Sequence, residues 1–279
     1  MTQLSYNKYL MRKIILTLLF VPIISWAQPS SILYNITNET VISGSLDNHP
    51  VSIASISKLL TVYTVLKANQ PLDEILTVTN TKTPHTKLRK GMKLTRKELI
   101  DMSLISSDNL AAMTLAENYT GGYSHFILRM NQHANDLHMH DSGFVEPTGL
   151  SPMNHSTIND LILLTRAVSS FDIIQSAAQT QRVITKPVGF YKHPKHKKRK
   201  KPIREPIIDR KLVNNPTSNF FGREGVITIK TGFTRAAGFC ITMLVSANNQ
   251  LYNITVLGAK TKQERQKIIE KNFQAIYNT

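Results

Sequence analysis

The chain has 279 residues and a formal net charge of +16, an excess of basic groups that predicts attraction to an anionic partner. This length allows one large domain or two small ones. The single cysteine, Cys240, excludes an intramolecular disulfide framework, and its apolar neighbours predict a buried strand thiol.

The first residues, 1–27, resemble a secretory signal peptide. A basic segment at residues 8–13 precedes an apolar run from Ile14 to Ile24, and Ser25-Trp26-Ala27 has the small-x-small cleavage pattern. The apolar run is shorter than the roughly 20 residues that a transmembrane helix needs. We therefore expect cleavage near Ala27, one mature domain over residues 28–279, and a periplasmic protein that is soluble or peripheral. An exported chain is not expected to bind nucleic acid.

Apolar spacing along the mature chain predicts strands, then helices, then strands and a final helix. Two short strands surround the turn at Asn38-Glu39, and capping-box patterns at Thr95–Glu98 and Thr261–Glu264 open helices. This order indicates an α+β fold, an antiparallel sheet flanked by helices plus a helical subregion. The predicted strands are 31–37, 40–45, 225–230, 238–245 and 251–257, and the predicted helices are 55–68, 95–105, 109–119, 123–137, 157–169 and 261–277. Hairpin breaks are expected at 232–238 and 248–250.

The first chemically informative pair is Ser55 and Lys58. On a helix, side chains at i and i+3 share one face about 5–6 Å apart. A serine in the first helical turn also lies near the positive end of the helix dipole. The apolar neighbours of Lys58 predict burial, which lowers the pKa of a lysine and lets it act as a base. An isolated Ser-x-x-Lys spacing is common on exposed helix faces, so this pair depends on its context.

Ser107 and Asn109 form the second candidate group. The Ser107 hydroxyl could relay a proton to a leaving amine, and the Asn109 carboxamide offers donors and acceptors to a peptide substrate. The same segment, with Asp108, is also a good helix N-cap ahead of Leu110. Capping and catalysis are compatible here.

The third group is Lys230-Thr231-Gly232, at the end of a β-rich run. A strand edge offers backbone N–H groups to an extended peptide, and Gly232 has no side chain to block the approach. Lys230 could bind a carboxylate or raise the local positive potential. Taken alone, a lysine and a glycine at a hairpin turn would explain the pattern equally well.

In this order, the three groups resemble the penicilloyl-serine transferases, and among them the low-molecular-mass penicillin-binding D-alanyl-D-alanine peptidases, with their β-lactamase-like fold. The resemblance extends over nearly all of the mature chain and is strongest at residues 53–61, 106–112, 144–150 and 229–238.

The resemblance implies a role for each matching residue. Ser55 would be the nucleophile, Lys58 its general base, and Ser107 the proton donor to the departing amine. Asn109 would position the substrate. The substrate's terminal carboxylate would be held by Lys230 and Thr231, beside Gly232, and the oxyanion by the backbone N–H groups of Ser55 and Phe233. The substrates would be peptidoglycan stem peptides, with β-lactams as inhibitors, and no metal or organic cofactor is needed.

Two enzymatic alternatives and one non-catalytic alternative remain. Carboxypeptidases of the family often add a second β domain and an amphipathic helix after the catalytic domain. The short stretch after Gly232 favours an endopeptidase that hydrolyses cross-links, as do Asp108 and the flanks of Lys230. A carboxypeptidase that trims terminal D-Ala is the second interpretation, and a wall-binding protein with a degenerate site is the third.

Two further patterns need interpretation. The segment 191–204 holds eight lysines or arginines and no acid, which is typical of a solvated surface loop because like charges resist burial. It could also dock on an anionic envelope polymer. A metallohydrolase is a weaker hypothesis, because the spacing of the candidate ligands matches no common zinc pattern; they are His133, Asp136, His138, His140 and Asp141.

Overall fold

The computed structural model describes residues 29–80, 83–192, 204–206 and 211–278. The predicted signal peptide and residues 193–203 of the basic segment lie outside the described residues. Seven α-helices occur in the described ranges: α1 (Lys58–Lys67), α2 (Arg96–Ile105), α3 (Asn109–Glu117), α4 (Gly122–Asp136), α5 (Ile158–Val168), α6 (Asp172–Gln179) and α7 (Lys262–Tyr277).

Strands in the same ranges form one large sheet and three small ones. They are β1 (Ser30–Asn35), β2 (Thr40–Gly44), β3 (Val51–Ser52), β4 (Ile75–Thr77), β5 (Met92–Thr95), β6 (His155–Ser156), β7 (Val183–Thr185), β8 (Val188–Lys192), β9 (Arg204–Pro206), β10 (Leu212–Asn214), β11 (Val226–Thr234), β12 (Gly238–Ala247) and β13 (Gln250–Ala259).

The large sheet is antiparallel in the order β11-β12-β13-β1-β2, which brings the first and last strands of the chain together. Six consecutive residues of β12, and six of β13, are buried. Continuous burial means that both faces of the sheet are covered, and α5 and α7 pack against these strands. The α+β prediction is confirmed, and β11 lies at an open edge of the sheet.

The helical subregion is built around α1, which packs against α2, α3, α4 and α5. The predicted capping box before α2 is present in both halves. Thr95 Oγ1 accepts from the Glu98 N–H at 3.1 Å, and Glu98 Oε2 accepts from the Thr95 N–H at 2.8 Å. These bonds satisfy two donors that a helix start leaves unpaired. The predicted start of α1 at Ser55 is three residues early, because residues 54–57 form a 3-10 turn, and α6 was not predicted. The other predicted helix bounds are correct to within one or two residues.

The predicted hairpin break at 232–238 is wrong in its bounds. Strand β11 continues through Gly232 to Thr234, and the turn occupies only residues 235–237. A Cβ atom on Gly232 would lie 2.6 Å from the Ile53 carbonyl oxygen, so this glycine marks a close approach of two backbones and not a turn. Lys230-Thr231-Gly232 therefore lies inside an edge strand.

No single helix in the described part of the chain is long and apolar enough to cross a membrane. Helices α5 and α6 meet the length and composition criteria only as a pair, and they are bent by 104° at their junction.

Candidate active site

Ser55 lies in a 3-10 turn, Ala54–Ser57, that runs directly into α1. Side chains three residues apart are aligned in this geometry, which brings Ser55 over Lys58. Ala54 adopts a left-handed φ of 48° and is fully buried. A Cβ atom on Gly149, whose φ is +79°, would lie 1.9 Å from the Ala54 carbonyl oxygen. The backbone that carries Ser55 is thus fixed by a neighbouring loop in which a glycine is required.

Lys58 is the first residue of α1 and is completely buried. Its Nζ lies 2.8 Å from Ser55 Oγ, 2.6 Å from the Thr148 carbonyl oxygen and 2.6 Å from Asn109 Oδ1. A neutral lysine amine has two N–H donors and one lone pair. When the oxygens of Thr148 and Asn109 take these two donors, the lone pair is left for the Ser55 hydroxyl, which in the structure donates to the Thr148 carbonyl at 3.3 Å. This arrangement is that of a general base on a nucleophile.

Burial lowers the pKa of Lys58 to about 7, although the negative charges of Glu146 and Asp108 act in the opposite direction. A substantial fraction of the amine is therefore neutral near pH 7. This is the protonation state that a general base requires.

Lys230, also fully buried, extends from β11 to the second motif. Its Nζ donates to Ser107 Oγ at 2.9 Å and to the Thr231 carbonyl at 2.9 Å. Burial holds the pKa of Lys230 well below its usual value, and the charges of Lys58 and Arg265 lower it further. Ser107 has a φ of +56°, a strained conformation for a serine that places its hydroxyl on Lys230.

Asp108 supplies the anchor for this strained turn. It is the N-cap of α3, and its Oδ1 accepts from the N–H groups of Leu110 and Ala111 at 2.9 and 3.0 Å. The same carboxylate accepts from Thr86 Oγ1 and the Lys87 N–H, both at 2.8 Å. Four bonds to a buried carboxylate fix the residues on either side of it, Ser107 and Asn109.

Asn109 is oriented by the protein at both ends of its amide. Oδ1 accepts from Lys58, and Nδ2 donates to the Pro84 carbonyl at 2.8 Å. The carboxamide therefore positions the Lys58 amine. Its expected contact with substrate stays a prediction.

Sequence reasoning missed the loop that presents the Thr148 carbonyl to Lys58. The Glu146 carboxylate accepts from the N–H groups of Thr148 and Gly149 at 2.7 and 2.6 Å and from the Thr148 hydroxyl. The signal available in the sequence was that Glu146 is the single acid in a loop rich in Gly, Pro, Asn and Ser. That pattern is typical of a carboxylate that organises a turn.

An open cleft runs over these groups. Six of the eight predicted site residues line it, while Lys58 and Lys230 lie buried beneath its floor. The six are Ser55, Ser107, Asn109, Thr231, Gly232 and Phe233. A Cβ atom on Gly232 would lie 3.1 Å from the Ser55 backbone nitrogen, so glycine at this position keeps space free beside that amide. The oxyanion-binding role of the Ser55 and Phe233 amides stays a prediction.

Arg265 of α7 is a lining residue that sequence reasoning missed. It is 3% exposed, one guanidinium nitrogen donates to the Cys240 carbonyl at 3.2 Å, and its Nε has no partner among the described residues. An arginine that lines a cleft is suited to bind a carboxylate. The sequence did contain a signal, because Arg265 stands in the apolar stripe of its helix with Ile269 and Phe273, where a charge is unusual.

The candidate metal ligands of the metallohydrolase hypothesis do not form a cluster among the described residues. Within the described ranges, no group of three or more His, Cys, Asp or Glu side chains could hold a metal ion. His133 approaches only Asp136 among the candidate carboxylates, at 3.7 Å.

The family model described as D-alanyl-D-alanine carboxypeptidase (Peptidase_S11) matches residues 24–261. The chain belongs to this family. It is a serine peptidase of the D-alanyl-D-alanine type, and the three motifs and the cleft described above all lie within the matched residues or directly beside them.

The curated relatives are named either endopeptidases or carboxypeptidases. The chain is 35% identical over 233 residues to a D-alanyl-D-alanine endopeptidase of Escherichia coli, with 80% of this chain and 68% of that one covered. It is 36% identical over 214 residues to one of Pseudomonas aeruginosa, with 75% and 64% covered, so the chain spans about two thirds of each relative. It is also 30% identical over 188 residues to the carboxypeptidase DacF of Bacillus subtilis, with 66% and 43% covered.

Solved structures confirm the fold. The DD-transpeptidase of Streptomyces K15 superposes with a TM-score of 0.74 at 20% identity, covering 90% of this chain and 97% of that one. Penicillin-binding protein D2 of Listeria monocytogenes, in its ampicillin-bound form, gives 0.72 at 24% identity, covering 88% and 96%.

Proposed function

We propose that the chain is an exported serine endopeptidase that hydrolyses D-alanyl-D-alanine-type cross-links of peptidoglycan through an acyl-enzyme on Ser55. The observation that carries the proposal is the buried Lys58 amine, 2.8 Å from Ser55 Oγ, with its two other hydrogen bonds already taken by the protein. A serine in this setting is activated for attack on a peptide carbonyl.

In acylation, Ser55 Oγ attacks the carbonyl carbon of the D-Ala residue, and its proton passes to Lys58 Nζ. The backbone N–H groups of Ser55 and Phe233 stabilise the oxyanion that forms, and donors of this kind typically contribute a few kcal/mol each. The C–N bond then breaks. The proton moves from Lys58 through the Ser107 hydroxyl to the leaving nitrogen, which restores the neutral lysine.

In deacylation, a water molecule attacks the ester carbonyl and gives its proton to Lys58. The bond between Ser55 Oγ and the acyl carbon breaks, and the proton returns to the serine oxygen. The products are a free carboxyl group on one stem and an amine on the other. A β-lactam would enter the same first step as a cyclic amide and would remain as the acyl-enzyme, which accounts for the inhibition that we expect.

The carboxylate beside the leaving amine would bind where positive charge and hydroxyl donors meet. Thr231 and Arg265 both line the cleft, and Lys230 lies directly below it. A guanidinium group beside a hydroxyl donor is suited to bind a carboxylate.

The preference for cross-links over terminal D-Ala is supported by the relatives from E. coli and P. aeruginosa, which are named endopeptidases. The deciding experiment digests purified cross-linked dimeric stems and monomeric pentapeptides in parallel and analyses the products by mass spectrometry. We expect dimers to be converted to monomers. Release of D-Ala from monomers with dimers left intact would make the enzyme a carboxypeptidase instead.

We propose a periplasmic location, which the signal-like sequence of residues 1–27 and the proposed substrate support. The mass of the protein recovered from the cell envelope tests it, since processing near Ala27 removes that segment.

The basic segment is proposed to hold the enzyme on an anionic envelope polymer. Six lysines and arginines lie in residues 193–203, between strands β8 and β9. Replacing residues 197–201 with neutral ones should weaken sedimentation with wall sacculi at low salt. Under these conditions screening is weak, and the removed positive charges would attract an anionic polymer most strongly. Turnover of small peptides should stay unchanged. Equal sedimentation of the variant and the wild type would contradict this role.

A further inference from the structure

An enzyme that cleaves a cross-link must bind a larger leaving group than an enzyme that removes a single terminal residue. The leaving group is a complete second stem peptide, so an endopeptidase must accommodate chain beyond the carboxylate that neighbours the leaving amine. The inference below rests on the proposed function and concerns where that chain lies.

A second depression adjoins the cleft and shares two of its lining residues, Thr217 and Lys262. Beyond these it is lined by Gln181, Ser218, Asn219 and Phe221 among others. The cleft and the depression therefore meet at Thr217 and Lys262.

Two hydrogen bonds place this depression on the leaving-group side of Ser55. The Thr217 N–H donates to the Ile105 carbonyl at 3.2 Å, which ties the segment to the end of α2, two residues before Ser107. Thr231 Oγ1 donates to Thr217 Oγ1 at 2.6 Å. Since the leaving amine takes its proton at Ser107, the chain attached to that amine starts beside Thr217.

Another part of the cleft has a different character. Phe233 and Phe239 stack there with ring centroids 4.2 Å apart, and Phe233 is half exposed. The edge strand β11 continues in that direction, where it can pair with the backbone of the acyl-donor stem. The cleft thus has an exposed aromatic part at Phe233, whereas the exposed residues of the adjoining depression are polar or cationic.

The lining of the depression fits a hydrophilic peptide. Gln181 and Asn219 are exposed amides that can donate to and accept from a peptide backbone. Lys262 is exposed, and no carboxylate in the described part of the chain pairs with its ammonium group. A stem peptide has free carboxylates that such a cation attracts. We propose that this depression binds the amine-bearing stem peptide of the cross-link.

The test is to fill the depression and compare a substrate that has a second stem with one that has none. Asn219→Trp places a bulky ring in the depression, and Asn135→Trp makes the same change on an exposed face of α4. For each variant, kcat/KM on the cross-linked dimer is divided by the second-order rate constant of acylation by a labelled penicillin. We expect Asn219→Trp to lower this ratio by roughly tenfold and Asn135→Trp to leave it within twofold.

A charge reversal gives an independent measurement if the tryptophan variant is unstable. Lys262→Glu should lower the same ratio through a higher KM for the dimer, and the loss should shrink as salt is added. Lys267→Glu, an exposed position on the same helix, is the control.

The outcomes separate the two proposals. Wild-type enzyme that cleaves dimers, together with unchanged ratios in both the Asn219 and Lys262 variants, overturns the subsite and leaves the endopeptidase function standing. Wild-type enzyme that acylates with penicillin but leaves dimers intact overturns both. A fall in the ratio for the depression variants alone supports the subsite.

Discussion

Replacing Ser55 with alanine should abolish covalent labelling by a fluorescent penicillin and stop hydrolysis of stem peptides. The change removes the one oxygen that Lys58 is placed to deprotonate, at 2.8 Å. Loss of a serine nucleophile costs a factor on the order of 10⁴ or more in rate, because the remaining groups bind substrate without forming the acyl-enzyme. The measurement is gel fluorescence of purified protein, with folding checked by circular dichroism.

Ser57→Ala is the matched control. Ser57 stands in the same 3-10 turn and is buried, but its hydroxyl donates to the Ala54 carbonyl at 2.9 Å and does not line the cleft. Its loss should cost roughly 1 kcal/mol of stability and leave labelling intact. A folded Ser55→Ala protein that still labels would refute the assignment. A folded wild-type protein that never labels would favour the non-catalytic wall-binding alternative.

Much of the fold could be predicted because the long strands and helices have clear patterns in their own local sequence. The strands of the central sheet are runs of β-branched and apolar residues, and α2 begins at a complete capping box. The small sheets could not be predicted in this way. Strand β3 is two residues long and exists only because Val51 and Ser52 meet Ser156 and His155, about a hundred residues away. Short strands are defined by their partners, and the partner is not visible in the local sequence.

The contacts of the site show the same difference between local and long-range signals. Ser55 and Lys58 are three residues apart, so local geometry alone brings them together. The link between Lys230 and Ser107 joins residues 123 positions apart and became visible only because the motifs resemble those of a known family. The Thr148 contact could not be predicted, although residues 144–150 share in the resemblance. Its acceptor is a backbone carbonyl, which every residue possesses, and its position depends on the Glu146 carboxylate that folds the loop.

Lys58→Met should lower the rate of acylation by roughly 10³ and remove its dependence on pH near neutrality. General bases typically contribute about 10²–10⁴ to a rate. Since burial lowers the pKa of Lys58 to about 7, wild-type acylation should rise as the pH increases through about 7, where the amine loses its proton. The variant should show a flat profile between pH 6 and pH 8.5. A wild-type rate that does not change across this range would contradict the assignment of the base.

The same pKa value of Lys58 predicts a gain in stability for this variant, with a definite pH dependence. The folded value, about 7, lies below the ordinary value of 10.5, so between these pH values the unfolded chain binds a proton that the folded chain does not. The wild-type free energy of unfolding should therefore rise with pH across this window, and the full cost of the buried charge is present below pH 7.

Methionine at position 58 fills similar space without that cost, although the Thr148 and Asn109 oxygens lose a donor. We expect Lys58→Met to be more stable than wild type at pH 6 by about 2 kcal/mol and the difference to shrink by pH 9.5, as measured by urea unfolding. Lys67→Met, on the exposed end of α1, should change neither the rate nor the stability in this way, and a Lys58 difference of equal size at both pH values would show that the buried amine is not the titrating group.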